Sequence, residues 1–263
     1  MVERYVQKRV LITVRTYPTP AMKGVEVSCT AGITDAGDWI RLFPVPYRRL
    51  PRHRQFRKYD WVDLMATRAR GDIRPESFTP DIDSIRVGQH VGTAKNWSTR
   101  KQLLQPVTAH CLCCLQRERE VKGYPTLGLF RPATIDRLLI EPDAPEWSPE
   151  QLARLQQGDM FNAEVPRLLE KIPYKFSYRF VCDHDTCPGH TLSTTDWELG
   201  QAYRIWRPKY GRDWEVAFRK KFEYEMKVEN ETHFYVGTLH GHPATWIIVG
   251  LFYPRRVSTE KHS

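Results

Sequence analysis

The sequence predicts an α+β protein: a β-rich unit over residues 1–95, closed into a small barrel or curled sheet, followed by an α+β unit over 96–263. Three observations carry this reading. Short runs of β-branched and aromatic residues with period-two alternation fill the first ninety residues. Apolar residues then recur at helical spacing from Ser98 onward. The last third returns to strand-like runs around a compact loop, Cys182-Asp-His-Asp-Thr-Cys187-Pro-Gly-His190.

In chain order, strands are expected at Val10–Val14, Val25–Ala31 and Trp39–Phe43. The turn sequence Thr34-Asp-Ala-Gly37 joins the last two as a hairpin, because Gly supplies the positive φ such loops require. Further strands follow at Trp61–Ala66 and Ser84–Val87, and so many short strands in one stretch suit an OB-like barrel. Leu103, Leu104, Val107, Cys111, Cys114 and Leu115 predict one helix with a buried face, ended by Lys122-Gly-Tyr-Pro125. Leu138–Ile140 reads as a strand. Ser148-Pro-Glu-Gln151 combines an N-cap Ser, Pro at the first helical position and a capping-box Gln. Tyr174–Phe180 is a strand, Thr195-Asp-Trp-Glu198 a second capping box, and Asp213–Val228 a helix. The chain closes with a hairpin of His233–Val236 against Thr245–Val249, with a loop over Gly237–Ala244.

A chain of 263 residues can bury a core without disulfide or metal support. Its net charge of +9 favours an anionic partner, nucleic acid before an anionic membrane surface. The sequence contains no apolar run long enough to span a bilayer and no secretory leader pattern, so a cytoplasmic protein is expected. Six irregularly spaced cysteines then read as thiols or metal ligands, not disulfides.

Cys182, Cys187 and His190 follow a strand at C-x4-C-x2-H spacing, with Pro188 and Gly189 turning the chain between the last two. Two thiolates and an imidazole favour zinc. The fourth ligand has to come from His184 or from a distant Cys29, Cys111, Cys113, Cys114, His240 or His242. Of the cysteine cluster, Cys111 and Cys114 fall on the apolar stripe of their helix and read as core.

The most charge-biased stretch is Trp39–Tyr59, which holds Arg41, Arg48, Arg49, Arg52, Arg54, Arg57 and Lys58 and no acidic residue. Arginine forks grip phosphate, and aromatics such as Tyr47 offer stacking faces, so these residues are the candidate contacts for DNA or RNA, including single strands. Catalytic candidates are Asp196, His240 and His242, whereas Glu198 is accounted for by the Thr195 capping box.

The blocks VLITVRTYPTP, AGITDAGDWIRLFPVPYR, IPYKFSYRFVC with DWELGQAYR, and FYVGTLHGHPATWIIVGLFYP resemble a group of uncharacterised prokaryotic proteins. That resemblance brings no activity with it. The residues themselves favour a nucleic-acid-binding protein with a structural zinc site; the other readings are a metal-dependent nuclease or related processing enzyme, and a protein-interaction adaptor.

Overall fold

A computed structural model of the chain describes residues 5–21, 26–157 and 167–257. Its first sheet comprises β1 (Val6–Arg15), β2 (Thr19–Pro20), β3 (Glu26–Thr34), β4 (Trp39–Val45), β5 (Asp60–Arg68), β6 (Ser77–Pro80) and β7 (Arg86–His90). The pairing order is β1-β3-β4-β6-β5, and β5 pairs back onto β1, closing a five-strand barrel. β6 and β7 share the other edge of β5, while β2 lies beside β3. The expected hairpin is present, with Gly37 at φ 85° donating to the Thr34 carbonyl at 3.0 Å. Val25, the first residue of the strand expected over 25–31, lies outside the described residues.

The barrel closes because β1 is apolar on both faces. Val10 and Ile12 point into the interior with Ile40, Leu42, Val62 and Leu64. Leu11 and Val14 point outward and pack against Leu127, Leu129, Tyr235, Val249 and Phe252 of the second unit. All four β1 residues are essentially inaccessible, which explains why VLITV reads as a continuous apolar run where a half-buried strand would alternate.

α1 (Ala94–Leu104) follows the barrel, and the second unit then contains β8 (Thr108–Ala109), α2 (Leu112–Lys122), β9 (Leu127–Phe130), β10 (Thr134–Pro142) and α3 (Pro149–Gln157). After these come β11 (Tyr174–Val181), β12 (His190–Thr194), α4 (Trp197–Tyr210), α5 (Trp214–Arg219), β13 (His233–Leu239) and β14 (His242–Phe252). A π-helical segment, Lys220–Glu229, continues α5. The seven strands pair in the order β10-β11-β12-β14-β13-β9-β8, with β12–β14 and β8–β9 parallel. α5 packs its aromatic face on β11, where Phe218 stacks on Phe176 at 4.7 Å.

Four expectations change. The single helix expected from Ser98 is two: α1 gives way to a 3-10 turn at Gln105–Val107, where Pro106 has no N–H to continue the ladder, and α2 restarts with Cys111 as its N-cap. The terminal hairpin turns at His240–Gly241, so its strands run through most of the loop expected over 237–244. Cys111 and Cys114 form a disulfide, where free thiols were expected; the first turn of α2 brings their Cα atoms to 5.2 Å, within bridging range. The fourth change concerns the two capping boxes. At α3 the Ser148 amide donates to Gln151 Oε1 and the Gln151 amide to Ser148 Oγ, as the sequence predicts. At α4 the cap is Asp196, which accepts from the Glu198 amide; Thr195 Oγ1 is buried without a partner.

Candidate metal centre and basic segment

β11 ends at Val181, the chain turns through residues 182–189, and β12 starts at His190, opposite Phe180 in the antiparallel ladder. Gly189 at φ 79° makes the tight return that a side chain would resist. Within the turn the Cys187 amide donates to the His184 carbonyl at 2.9 Å, and the Cys182 amide points at Cys187 Sγ at 3.3 Å. These contacts bring Cys182, Cys187 and His190 together, as their spacing predicts.

The fourth donor is Cys113, which the sequence offered only as one of several. Its Sγ lies 3.2 Å from His190 Nε2, and the donor atoms of Cys113, Cys182, Cys187 and His190 all fall within 4.8 Å of one another. Such a group of three sulfurs and one imidazole could hold a metal ion. Cys113 reaches the loop from the first turn of α2, where it is partly buried and packs against the core cluster that takes both Cys111 and Cys182. Burial, reinforced by the neighbouring Cys187 and Cys182, pushes the Cys113 thiol up to about 12. Burial also keeps the His190 imidazole below its usual value, favouring the neutral form that ligates a metal.

Asp196, His240 and His242 stand apart from this cluster. β12 rises about 3.3 Å per residue, which separates His190 at its start from Asp196 beyond its end by roughly 15–20 Å. His240 and His242 are exposed around the β13–β14 turn, with His240 Nδ1 3.9 Å from Asp72.

Asp196 belongs to a different constellation. Lys58 Nζ donates to Glu198 Oε1 at 2.9 Å and to the Leu251 carbonyl at 3.1 Å, and lies 3.5 Å from Asp196 Oδ2. Tyr253 donates to the other Glu198 oxygen at 2.7 Å, and the Leu251 amide to Asp196 Oδ2 at 2.8 Å. Burial raises Asp196 to about 6, with Lys58 opposing the shift and Glu198 adding to it. For Glu198 burial is outweighed by Lys58 and Tyr253, which hold it below the usual carboxylate value. The Lys58 ammonium stays charged because the two carboxylates overcome the cost of burying it.

The basic segment is divided by its own packing. Arg41 is 2 % exposed, bonded to Glu76 at 3.1 Å and to the Thr126 carbonyl at 3.0 Å, so it ties the barrel to the second unit. Arg48 pairs with Glu26 at 2.9 Å, Arg54 pairs with Asp83, and Arg49 is half-buried. The Tyr47 ring is covered by the Arg15 guanidinium, whose central carbon lies 3.7 Å from the ring centre. Arg52 and Arg57 are the exposed cations of the set; the Arg57 amide donates to Asp60 Oδ2 at 2.7 Å, while its guanidinium lies 3.7 Å from Asp60 Oδ1 and leaves 72 % of the side chain in solvent.

No helix among the described residues is long and apolar enough to cross a membrane. No curated protein matches the chain. A domain of unknown function, DUF8758, matches residues 6–106, and a second, DUF8757, matches residues 108–263. The two matches divide the chain between the first sheet, which ends at His90, and the second, which begins at Thr108. The chain therefore belongs to the DUF8757 family, an uncharacterised group whose domain here follows a DUF8758 domain.

Proposed function

We propose that the protein binds nucleic acid through the basic segment, with a zinc ion held by Cys113, Cys182, Cys187 and His190 as a structural clip. The observation that carries the binding role is the rigid presentation of Arg52 and Arg57. The segment between β4 and β5 is pinned by buried Leu50 and Phe56, by the Arg48–Glu26 and Arg54–Asp83 pairs and by the Lys58 tether. Two exposed guanidinium groups are thus held outward on a braced loop of a chain with net charge +9. Pre-ordered arginines lose little freedom on gripping phosphate.

For the ion, the donor chemistry is the support. A tetrahedral zinc with Zn–S bonds of about 2.3 Å spaces its ligands by about 3.5–3.8 Å, which a group confined within 4.8 Å can meet with small side-chain adjustments. A complete set of four protein ligands suits a structural site; a catalytic one keeps a position for water. Here the clip would join α2 to the β11–β12 turn.

The test is binding of labelled single- and double-stranded DNA and RNA across a salt series. Affinity should fall steeply with salt, and the double variant R52A/R57A should lower both affinity and salt slope. Salt-independent binding, or none, overturns the proposal.

A further inference from the structure

A second feature lies at the junction of the two units and was invisible in the linear sequence. Beside the Lys58–Glu198 pair is a cavity of about 320 Å³. Four cations, Arg15, Arg57, Lys58 and Arg100, line it with a single carboxylate, Glu198, and the aromatic residues Tyr59, Trp97, Trp197 and Tyr253. The volume is at the small end of ligand sites and suits one nucleotide-sized molecule.

The two arginines at its walls are held flat. The Arg15 guanidinium carbon sits 3.7 Å from the Tyr47 ring centre and 4.3 Å from that of Trp197. That of Arg100 sits 3.8 Å from Tyr59 and 4.8 Å from Trp97. Stacking fixes their planes and leaves their edges available. Arg15 gives one hydrogen bond, Nη1 to the Phe56 carbonyl at 3.1 Å, and its Nε is buried without a partner. Arg100, 5 % exposed, donates from Nε to the Val91 carbonyl at 2.9 Å and meets His90 Nε2 at 3.3 Å. Neither forms an ion pair with a carboxylate among the described residues, although each guanidinium carries five N–H groups. Asp196 and Glu198 attract Arg15, and Glu198 attracts Arg100, without touching them, so an anion in direct contact is the hydrogen-bonding partner that both guanidinium groups lack.

The backbone is strained at the same place. Tyr59 at φ 69° and Trp97 at φ 61° are in the left-handed region, and Lys95 and Asn96 precede Trp97 in the same conformation. These four are the only non-glycine residues with positive φ among the described residues. Each such residue costs on the order of 1 kcal/mol, and strain of this kind gathers where a side chain must be aimed. Here the aimed groups are two rings of the cavity wall, 6.2 Å apart.

We propose that this cavity is a single-nucleotide site, in which Arg15, Arg57 and Arg100 take the phosphate, the indole of Trp97 or Trp197 takes the base face, and Glu198 accepts from a base amine or sugar hydroxyl. The three requirements of a nucleotide, a fixed anion, a flat apolar face and hydrogen-bond donors, are thereby met by cations, indoles and a carboxylate within one cavity. The site deepens the nucleic-acid reading and rests on it for its ligand class. Exposed Arg52 would hold the strand outside while one unit enters.

The experiment titrates the full chain, metal retained, with each of the four ribonucleoside and four deoxyribonucleoside 5′-monophosphates, followed by tryptophan fluorescence. In parallel, fluorescence anisotropy follows labelled single-stranded DNA and RNA octamers. Variants are Arg57→Ala at the exposed mouth, Arg15→Lys and Trp97→Phe inside, and Arg52→Ala outside, each checked for an unchanged melting transition. Saturable quenching by at least one mononucleotide is expected, weakened about tenfold or more by Arg57→Ala and Arg15→Lys and unchanged by Arg52→Ala, whereas octamer binding should be weakened by the cavity variants and by Arg52→Ala alike. Octamer binding that is weakened by Arg52→Ala but indifferent to the cavity variants overturns the site and leaves the nucleic-acid reading standing. Mononucleotide quenching with no octamer binding supports the site, assigns it a free nucleotide, and removes the nucleic-acid reading. Absence of both removes both.

Discussion

Lys58 Nζ and Glu198 Oε1 meet at 2.9 Å although 140 positions separate the residues, and this bond lies where the barrel joins the second sheet. Neither residue had a role in the linear reading that required the other: Lys58 was a phosphate contact and Glu198 a helix cap. Their pairing, with Asp196 and Tyr253 around them, makes the junction a buried polar network.

Removing the cation is expected to be costly. Lys58→Met leaves Asp196 and Glu198 facing one another without a counter-ion, and breaking a buried pair in this way costs about 3 kcal/mol. Chemical denaturation should therefore give a lowered midpoint for Lys58→Met, whereas Arg52→Ala at the exposed loop should stay within about 0.5 kcal/mol of the parent. Equal effects would contradict the assignment of the two residues to different environments.

The contribution of Asp196 to stability should fall as pH rises from about 4.5 to 6. The carboxyl of Asp196 is raised from 3.8 to about 6, so the folded chain holds a proton there that the unfolded chain has lost. Its contribution is full below the unfolded value and is lost as pH rises through the folded one. Glu198 is shifted the other way, and its contribution is lost as pH falls through its lowered folded value, below this window. The imidazoles of His190 and His233, lowered by burial, contribute a rise over the same window, so the Asp196 contribution is read by difference: denaturation midpoints across pH 4.5–6.5 should rise more steeply in Asp196→Asn than in the parent. A profile left unchanged by Asp196→Asn would refute the burial-driven shift.

Metal content should follow four residues and not the other cysteines. Cys113→Ser is expected to lose the bound ion as fully as Cys182→Ser or Cys187→Ser, because a closed tetrahedral site needs all four donors. Cys29→Ser, on β3 and outside the cluster, should retain it. Elemental analysis of the purified variants decides this; full metal in Cys113→Ser would exclude Cys113 from the site.

The two capping sequences should respond differently to substitution. Ser148→Ala removes a hydroxyl that accepts from the Gln151 amide at 3.2 Å, and should cost about 1 kcal/mol. Thr195→Val removes a buried hydroxyl with no partner, so it should be neutral or slightly stabilising. Thermal melts of the two variants make the comparison directly.

The sequence by itself determined the elements whose cause is local. Runs of β-branched and aromatic residues marked β1, β3, β4 and β5, Gly37 marked the hairpin turn, and Ser148 to Gln151 marked the start of α3. The Cys182–His190 loop was legible for the same reason, since three of its donors lie within nine residues and one turn can gather them. Tertiary structure decided everything that depended on distance along the chain. The first turn of α2 delivered Cys113 as the fourth donor. Barrel closure drew Arg41 and Arg48, and docking of the second unit drew Lys58, out of an apparently uniform basic run and into ion pairs. Packing of the second unit against β1 brought Arg15, Trp97, Arg100 and Trp197 around one cavity. Local spacing reports which groups the backbone can turn toward one another within a few residues. The partner of a buried charge is chosen by whichever distant group the packed core carries into hydrogen-bonding range, and no window of sequence contains that choice.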